Sequence, residues 1–364
     1  MPAVDAAAAG GTWGNAEEAP GTAVLNAGNS AELNSVSCAS AGNCSAGGYY
    51  ADGVTGEQAL VVSEVNGTWG TAEELPGVAA LNVSGGAAVN SVSCASAGNC
   101  AAVGRYWDGS RHTQAFVDDE VNGTWGTAEQ APGTAALNAG GYAPLLSVSC
   151  ASAGNCSAGG YYTDGANEEQ PFVVSEVAGT WGTAQQVPGT AALNTKLIGV
   201  VVAVSCASAG TCTAVGNANG QVFTADEVNG AWGDAAQLPG IAALDTGGGA
   251  YATALSCASA GNCSAGGYWF DSVGNHAFVA DEVNGTWGSA VQVPGTAALN
   301  AGENGQLDSV SCASAGNCSA GGYYVDGTAI QQAFVDSEVN GTWGNAQQVP
   351  GTATLNTLGP AELV

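Results

Sequence analysis

The stretch Ser37-Cys38-Ala39-Ser40-Ala41-Gly42-Asn43-Cys44 decides the fold, because it returns five more times along the chain. Its cysteines are Cys38 and Cys44, Cys94 and Cys100, Cys150 and Cys156, Cys206 and Cys212, Cys257 and Cys263, and Cys312 and Cys318. Only the fourth copy alters the motif, with Thr211 in the place of Asn. A second marker, Trp-Gly, alternates with it at Trp13, Trp69, Trp125, Trp181, Trp232, Trp287 and Trp343, at intervals of 51 to 56 residues. A period of fifty-odd residues is that of propeller blades, each one supersecondary unit that buries its face on the next.

Working outward from the cysteines, each unit parses into four short strands. Asn34 to Cys38 alternates before the small-residue turn at Ala41-Gly42-Asn43, and Cys44 to Tyr50 returns as the second strand. Gln58 to Val65 is the most apolar and β-branched run, as a central strand should be. Asn66-Gly67 then predicts a two-residue hairpin with both residues at positive φ. Thr68 to Leu75 is the fourth strand, stopped by Pro76-Gly77. No segment shows a sustained 3.6-residue period with caps, so the chain reads as all β.

Gly47-Gly48 followed by Tyr49-Tyr50 and then Trp69 resembles the kelch repeat family, which ends its second strand on Gly-Gly and places Trp near the start of the fourth. Gly159-Gly160 with Trp181 and Gly321-Gly322 with Trp343 repeat the order. The Cys pair in every unit departs from that pattern, as do Val103-Gly104 and Val215-Gly216. The resemblance implies a propeller of four-stranded blades that binds proteins or lines an enzyme scaffold, and it leaves function open.

The expected architecture is one domain over residues 1–364, a closed ring of six antiparallel blades, with seven as the alternative. The Trp strand occurs seven times and the Cys hairpin six. The surplus, at residues 1–20 and 341–364, is expected to close the ring or to be exchanged between chains.

Cysteines six residues apart across a tight turn face each other on one hairpin, which suits a disulfide. A zinc site needs four ligands, and only His112 and His276 could be added. Twelve cysteines therefore imply an oxidising compartment, and the expectation is a secreted or cell-surface protein. Met1 to Ala9 lacks the basic and apolar regions of a leader, so a leader already removed is expected. The net charge of −28 arises from scarce bases, Arg105, Arg111 and Lys196, since charged residues make up only 9%. Such a surface repels phosphate backbones and anionic lipids, which argues against nucleic-acid partners and membrane insertion.

Two repeated features could carry chemistry. Glu64, Glu120, Glu176, Glu227, Glu282 and Glu338 recur in the third strand, each predicted opposite the following Trp. Six positions equivalent by repetition read as structural carboxylates rather than as one catalytic pair. The loops after the second strand place aromatics beside an acid, the equipment for stacking a sugar. Their candidate binding residues are Tyr50, Asp52, Trp107, Asp108, Tyr162, Asp164, Trp269, Asp271, Tyr324 and Asp326. The fourth unit has only Asn217-Ala218-Asn219-Gly220 there and is expected to be inactive. Without an Asp-x-Asp-x-Asp loop, no metal and no cofactor are expected. Asn-Gly-Thr at Asn66, Asn122, Asn284 and Asn340 matches the glycosylation sequon and reads as a tight turn.

The second-to-third-strand loops and the linkers between units vary, while the cysteine and Asn-Gly turns hardly do. Any ligand is therefore expected on the variable-loop face. Replacing Tyr162 or Tyr324 is expected to cost binding and spare stability. The functional expectation is a structural or surface-display propeller with a binding face and no enzymatic activity. The alternatives are a lectin-like propeller with shallow repeated sites and, least favoured, a glycan-acting enzyme. Carbohydrate, another protein and further copies of the chain are the expected partners.

Overall fold

Period-two runs punctuated by glycine turns leave no helical face to bury, and the chain pairs its strands locally instead. The computed structural model describes residues 15–194, 198–352 and 356, and shows six antiparallel sheets in series, the blades of a β-propeller. Their first strands are Ala31–Ser40, Ala88–Ser96, Leu145–Ser152, Gly199–Ser208, Ala250–Ser259 and Gly305–Ser314. Each pairs with a second strand through the cysteine turn, and Cys38 faces Cys44 with the same register in every blade. All six disulfides form within their own hairpins, with Cα atoms 3.9 to 4.0 Å apart. Closing so short a loop stabilises by about 2 kcal/mol on the chain-entropy account.

The third strands lie against the second, and Glu64 pairs with Trp69 across the Asn66-Gly67 turn as expected. Asn66 and Gly67 both have positive φ, 52° and 78°. The fourth strand differs from expectation. It is two short pieces, such as Thr68–Trp69 and Glu73–Glu74, that both pair with the third strand. A second difference follows the Pro-Gly step. Among the described residues, six single helical turns, Thr22–Leu25, Val78–Leu81, Thr134–Leu137, Thr190–Leu193, Ile241–Leu244 and Thr296–Leu299, each precede the first strand of a blade. Four residues are too few for a helical period to register in the sequence. Each turn starts from a glycine in the left-handed region, Gly77 at φ 87° for example. Most end at an asparagine: Asn82 donates to Glu57 O and the Gln58 side chain and accepts from Gly86 N.

Glycine in the Gly-Gly pair has a definite cause. A register shift after Leu33 brings the Glu32 carbonyl to 1.8 Å from where a Cβ on Gly48 would sit. The same position is glycine in all six blades. The first glycine of the pair instead faces the next blade: a Cβ on Gly47 would meet Val89 and Val92 at 2.5 and 2.9 Å. Blades 2 and 4 carry Val103 and Val215 there, fully buried. Opposite the required glycines lie Leu60, Phe116, Phe172, Phe223, Phe278 and Phe334, among the largest fully buried side chains.

Serines of the first strands lace successive blades. Val92 N donates to Ser35 Oγ and Cys94 N to Ser37 Oγ, at 3.0 and 2.9 Å, and later seams repeat the pattern with Ser91, Ser93, Ser147, Ser149, Ser205 and Ser256. Ring closure was expected at residues 1–20 and 341–364. Most of these, with Trp13, lie outside the described residues, as does Lys196. Of the rest, Gln347–Gln348 pairs with Phe334 and Val335 as the outer strand of blade 6 itself. Pro20 O accepts from Ala72 N as Pro76 O does from Ala128 N, so the first linker sits on blade 1 as each later linker sits on the blade that follows.

Candidate functional site

The candidate binding residues separate into two groups that do different work. Tyr50, Tyr162 and Tyr324 are buried. Tyr50 donates to Glu74 at 3.0 Å, and Tyr162 packs edge-on against Phe172. They are core residues and present no face for stacking, which corrects the sequence expectation. Burial raises their hydroxyl pKa values above the usual tyrosine range. Trp107 occupies the position after its buried Tyr106 and lies half-exposed over Gly86. Trp269 sits against His276 with ring centres 4.7 Å apart.

The aspartates close their own loops. Asp52 accepts from the Val54, Thr55 and Gly56 amides, at 2.7 to 3.0 Å. Asp108, Asp164, Asp271 and Asp326 do the same in their blades. The hydroxyl of Thr55 holds Asp52 well below the usual carboxylate range, assisted by those amides, and that of Thr328 holds Asp326 at about 2. Donors directed at a carboxylate stabilise its charged form. These side chains shape the loops. Asp271 also meets His276 Nε2 at 3.2 Å.

The aromatics left on the variable-loop face are the first tyrosines of each pair and residues from the linkers. Tyr142 and Tyr161 stack with centres 5.6 Å apart, and Tyr251 and Tyr268 at 5.4 Å with Phe270 edge-on to both. Tyr142 is 41% exposed. Burial, Tyr142 and Glu169 push the Tyr161 hydroxyl up, with Arg105 opposing them. Arg105 also approaches Glu57 of the preceding blade at 3.9 Å. The signal for these residues was present in the strand alternation. Tyr49 is two residues beyond Gly47 and shares its face, whereas Tyr50 shares the face of Gly48. Tyr142 lies in the irregular run before the first strand and Tyr251 near the start of one, and neither carried a repeat signal.

The opposite face holds the recurring glutamates, in clefts of about 310 to 430 Å³ between neighbouring blades. They are not equivalent. Glu120 accepts from Ser45 and Ser63 at 3.0 Å, and Glu227 from Ser157 and Ser175. Blades 2, 4 and 5 carry Asp119, Asp226 and Asp281 where blades 1 and 3 have Ser63 and Ser175. Burial and the neighbouring aspartate push Glu176, Glu282 and Glu338 up to about 7. No amide or hydroxyl reaches either oxygen of Glu176, and it meets Asp119 carboxyl to carboxyl. Three of the indoles expected near the glutamates bond across the seam: Trp181 donates to Asp119 and Trp343 to Asp281, while Trp232 donates to Ser175.

No family model matches the chain, and no curated protein matches its sequence. The kelch resemblance therefore rests on the repeat residues alone. Among solved structures, the chain is similar to a Hadza microbial sialidase, with 9% identity and a TM-score of 0.48 over 88% of this chain and 66% of that one. It is also similar to the β-propeller domain of Swd1 from Myceliophteria thermophila, with 10% identity and a TM-score of 0.46 over 79% and 80%. A xyloglucanase from Xanthomonas campestris gives 11% and 0.49 over 87% of this chain and 46% of its own. The expectation of no enzymatic activity is corrected by these neighbours, since two of the three are named as enzymes. At such identities they establish no activity for this chain.

Proposed function

We propose that this chain is an extracellular propeller that binds neutral carbohydrate on the aromatic rim of its variable-loop face. The observation that carries the reading is the pair of stacked clusters, Tyr142 with Tyr161 and Tyr251 with Tyr268 and Phe270. Aromatic rings beside hydroxyls offer an apolar face and polar edge together, as the C–H face and hydroxyls of a sugar ring require. A net charge of −28 disfavours anionic ligands. The disulfides support the compartment, because such bonds persist where the surroundings are oxidising. A glycan array followed by calorimetry tests the reading. Binding that falls at least tenfold in Tyr161→Ala or Tyr268→Ala supports it, and no binding to any neutral glycan contradicts it.

A second reading, a structural or surface-display scaffold, is favoured by one observation. The repeated Tyr-Tyr-x-Asp-Gly segments spend one tyrosine on the core and the aspartate on its own loop. Unaltered cell-surface assembly in the Tyr161→Ala variant would favour it.

A further inference from the structure

We propose that the outward faces of the first and last blades dock onto each other between two copies of this chain, reproducing the seam that joins blades within it. Five internal seams are built alike. At each, an apolar pair on one first strand packs on the preceding blade: Val89 with Val92, Leu145 with Val148, Val201 with Val204, Ala252 with Leu255, and Leu307 with Val310. The first member of each is buried to 3% exposure or less. Blade 1 carries the same pair as Leu33 and Val36, which are 46% and 62% exposed.

Blade 6 presents the other half. Val335 holds the place of Val61, Val117, Val173 and Val279, all fully buried, yet it is 39% exposed. Ser319 and Ser337 are exposed, whereas Ser45 and Ser157, which occupy the place of Ser319, are buried and bond to the next blade's glutamate. Among the described residues, Ser309 and Ser311 receive no amide of a following blade, although Ser35 and Ser37 do. One molecule therefore exposes both halves of an interface whose geometry it displays five times. A second copy is the partner that carries both matching faces in the same register. The contact is heterologous, so it propagates head to tail or closes a larger ring.

Sedimentation velocity on the full chain over a hundredfold concentration range tests the proposal. The wild type is expected to form species above 35.3 kDa that grow with concentration. Val36→Glu and Val335→Glu each place a charge on an already exposed position, so thermal midpoints should hold while each variant alone runs as a monomer. Mixed in equal amounts, the two variants retain one intact face each and should form a dimer that grows no further. A wild type that stays at one chain mass throughout overturns the proposal, as does a mixture that remains monomeric. Closure of the ring within one molecule would give that monomeric result.

Discussion

Asp119 of blade 2 stands against Glu176 of blade 3 in the place where Ser63 of blade 1 donates to Glu120 of blade 2. One residue type in the preceding blade thus decides whether a buried glutamate is satisfied as an anion or must share a proton. The same substitution of Asp for Ser recurs ahead of Glu282 and Glu338.

A pH dependence follows. Glu176, Glu282 and Glu338 sit at about 7 in the folded chain against 4.5 for an unperturbed glutamate. The folded state therefore holds protons that the unfolded chain has released, and stability from these groups is full below about pH 4.5 and lost as pH rises through about 7. Thermal midpoints should be higher at pH 5 than at pH 8. Converting Asp119, Asp226 and Asp281 to serine recreates the Ser63 arrangement and should flatten that slope, because the hydroxyl donates to the ionised glutamate. An unchanged slope in the triple variant would remove the acid pairs as its cause.

Blade 3 has Ala178-Gly179 where the other five blades have Asn-Gly, and Ala178 is held at φ 50°. An L residue without a local polar contact is strained there, while asparagine tolerates the conformation. Ala178→Asn, made in a host that does not glycosylate, should therefore stabilise by about 1 kcal/mol in equilibrium denaturation. No gain would show that the turn relaxes without cost.

Gly160→Ala should be among the most damaging single-methyl changes in the chain. Its added carbon would lie 2.1 Å from the Pro144 carbonyl oxygen, a backbone atom fixed by the adjoining strand. Such overpacking costs on the order of 3 kcal/mol. Val103→Gly, at the other position of the pair, removes buried apolar atoms and should cost a similar amount by cavity formation, about 2 to 3 kcal/mol. Urea unfolding of both compares the mechanisms. A mild Gly160→Ala would mean that the register shift next to it can move.

Much of this architecture is legible in the residues. The Cys38 and Cys44 pairing, the Asn66-Gly67 turn and the Glu64 to Trp69 register are local, and each follows from two-residue alternation across a short turn. What the sequence hides is set by packing against elements outside the local hairpin. Tyr50 and Tyr162 look like stacking residues until linker helices and adjoining strands bury them. Tyr162→Ala, expected from the sequence to spare stability, should instead cost about 3 to 5 kcal/mol as a core truncation. The glutamates look equivalent because their difference lies one blade away, in Ser63 or Asp119. The single-turn helices escape notice because four residues hold little more than one helical period.

The proposed ligand face is the aromatic rim. It is tested most directly by solving the structure of the chain with the tightest-binding neutral oligosaccharide from an array. The expected result is a sugar ring against Tyr142 and Tyr161, or against Tyr251, Tyr268 and Phe270, with none on the Asn-Gly turn face. A sugar seated in the carboxylate clefts around Glu176 or Glu338 would contradict it.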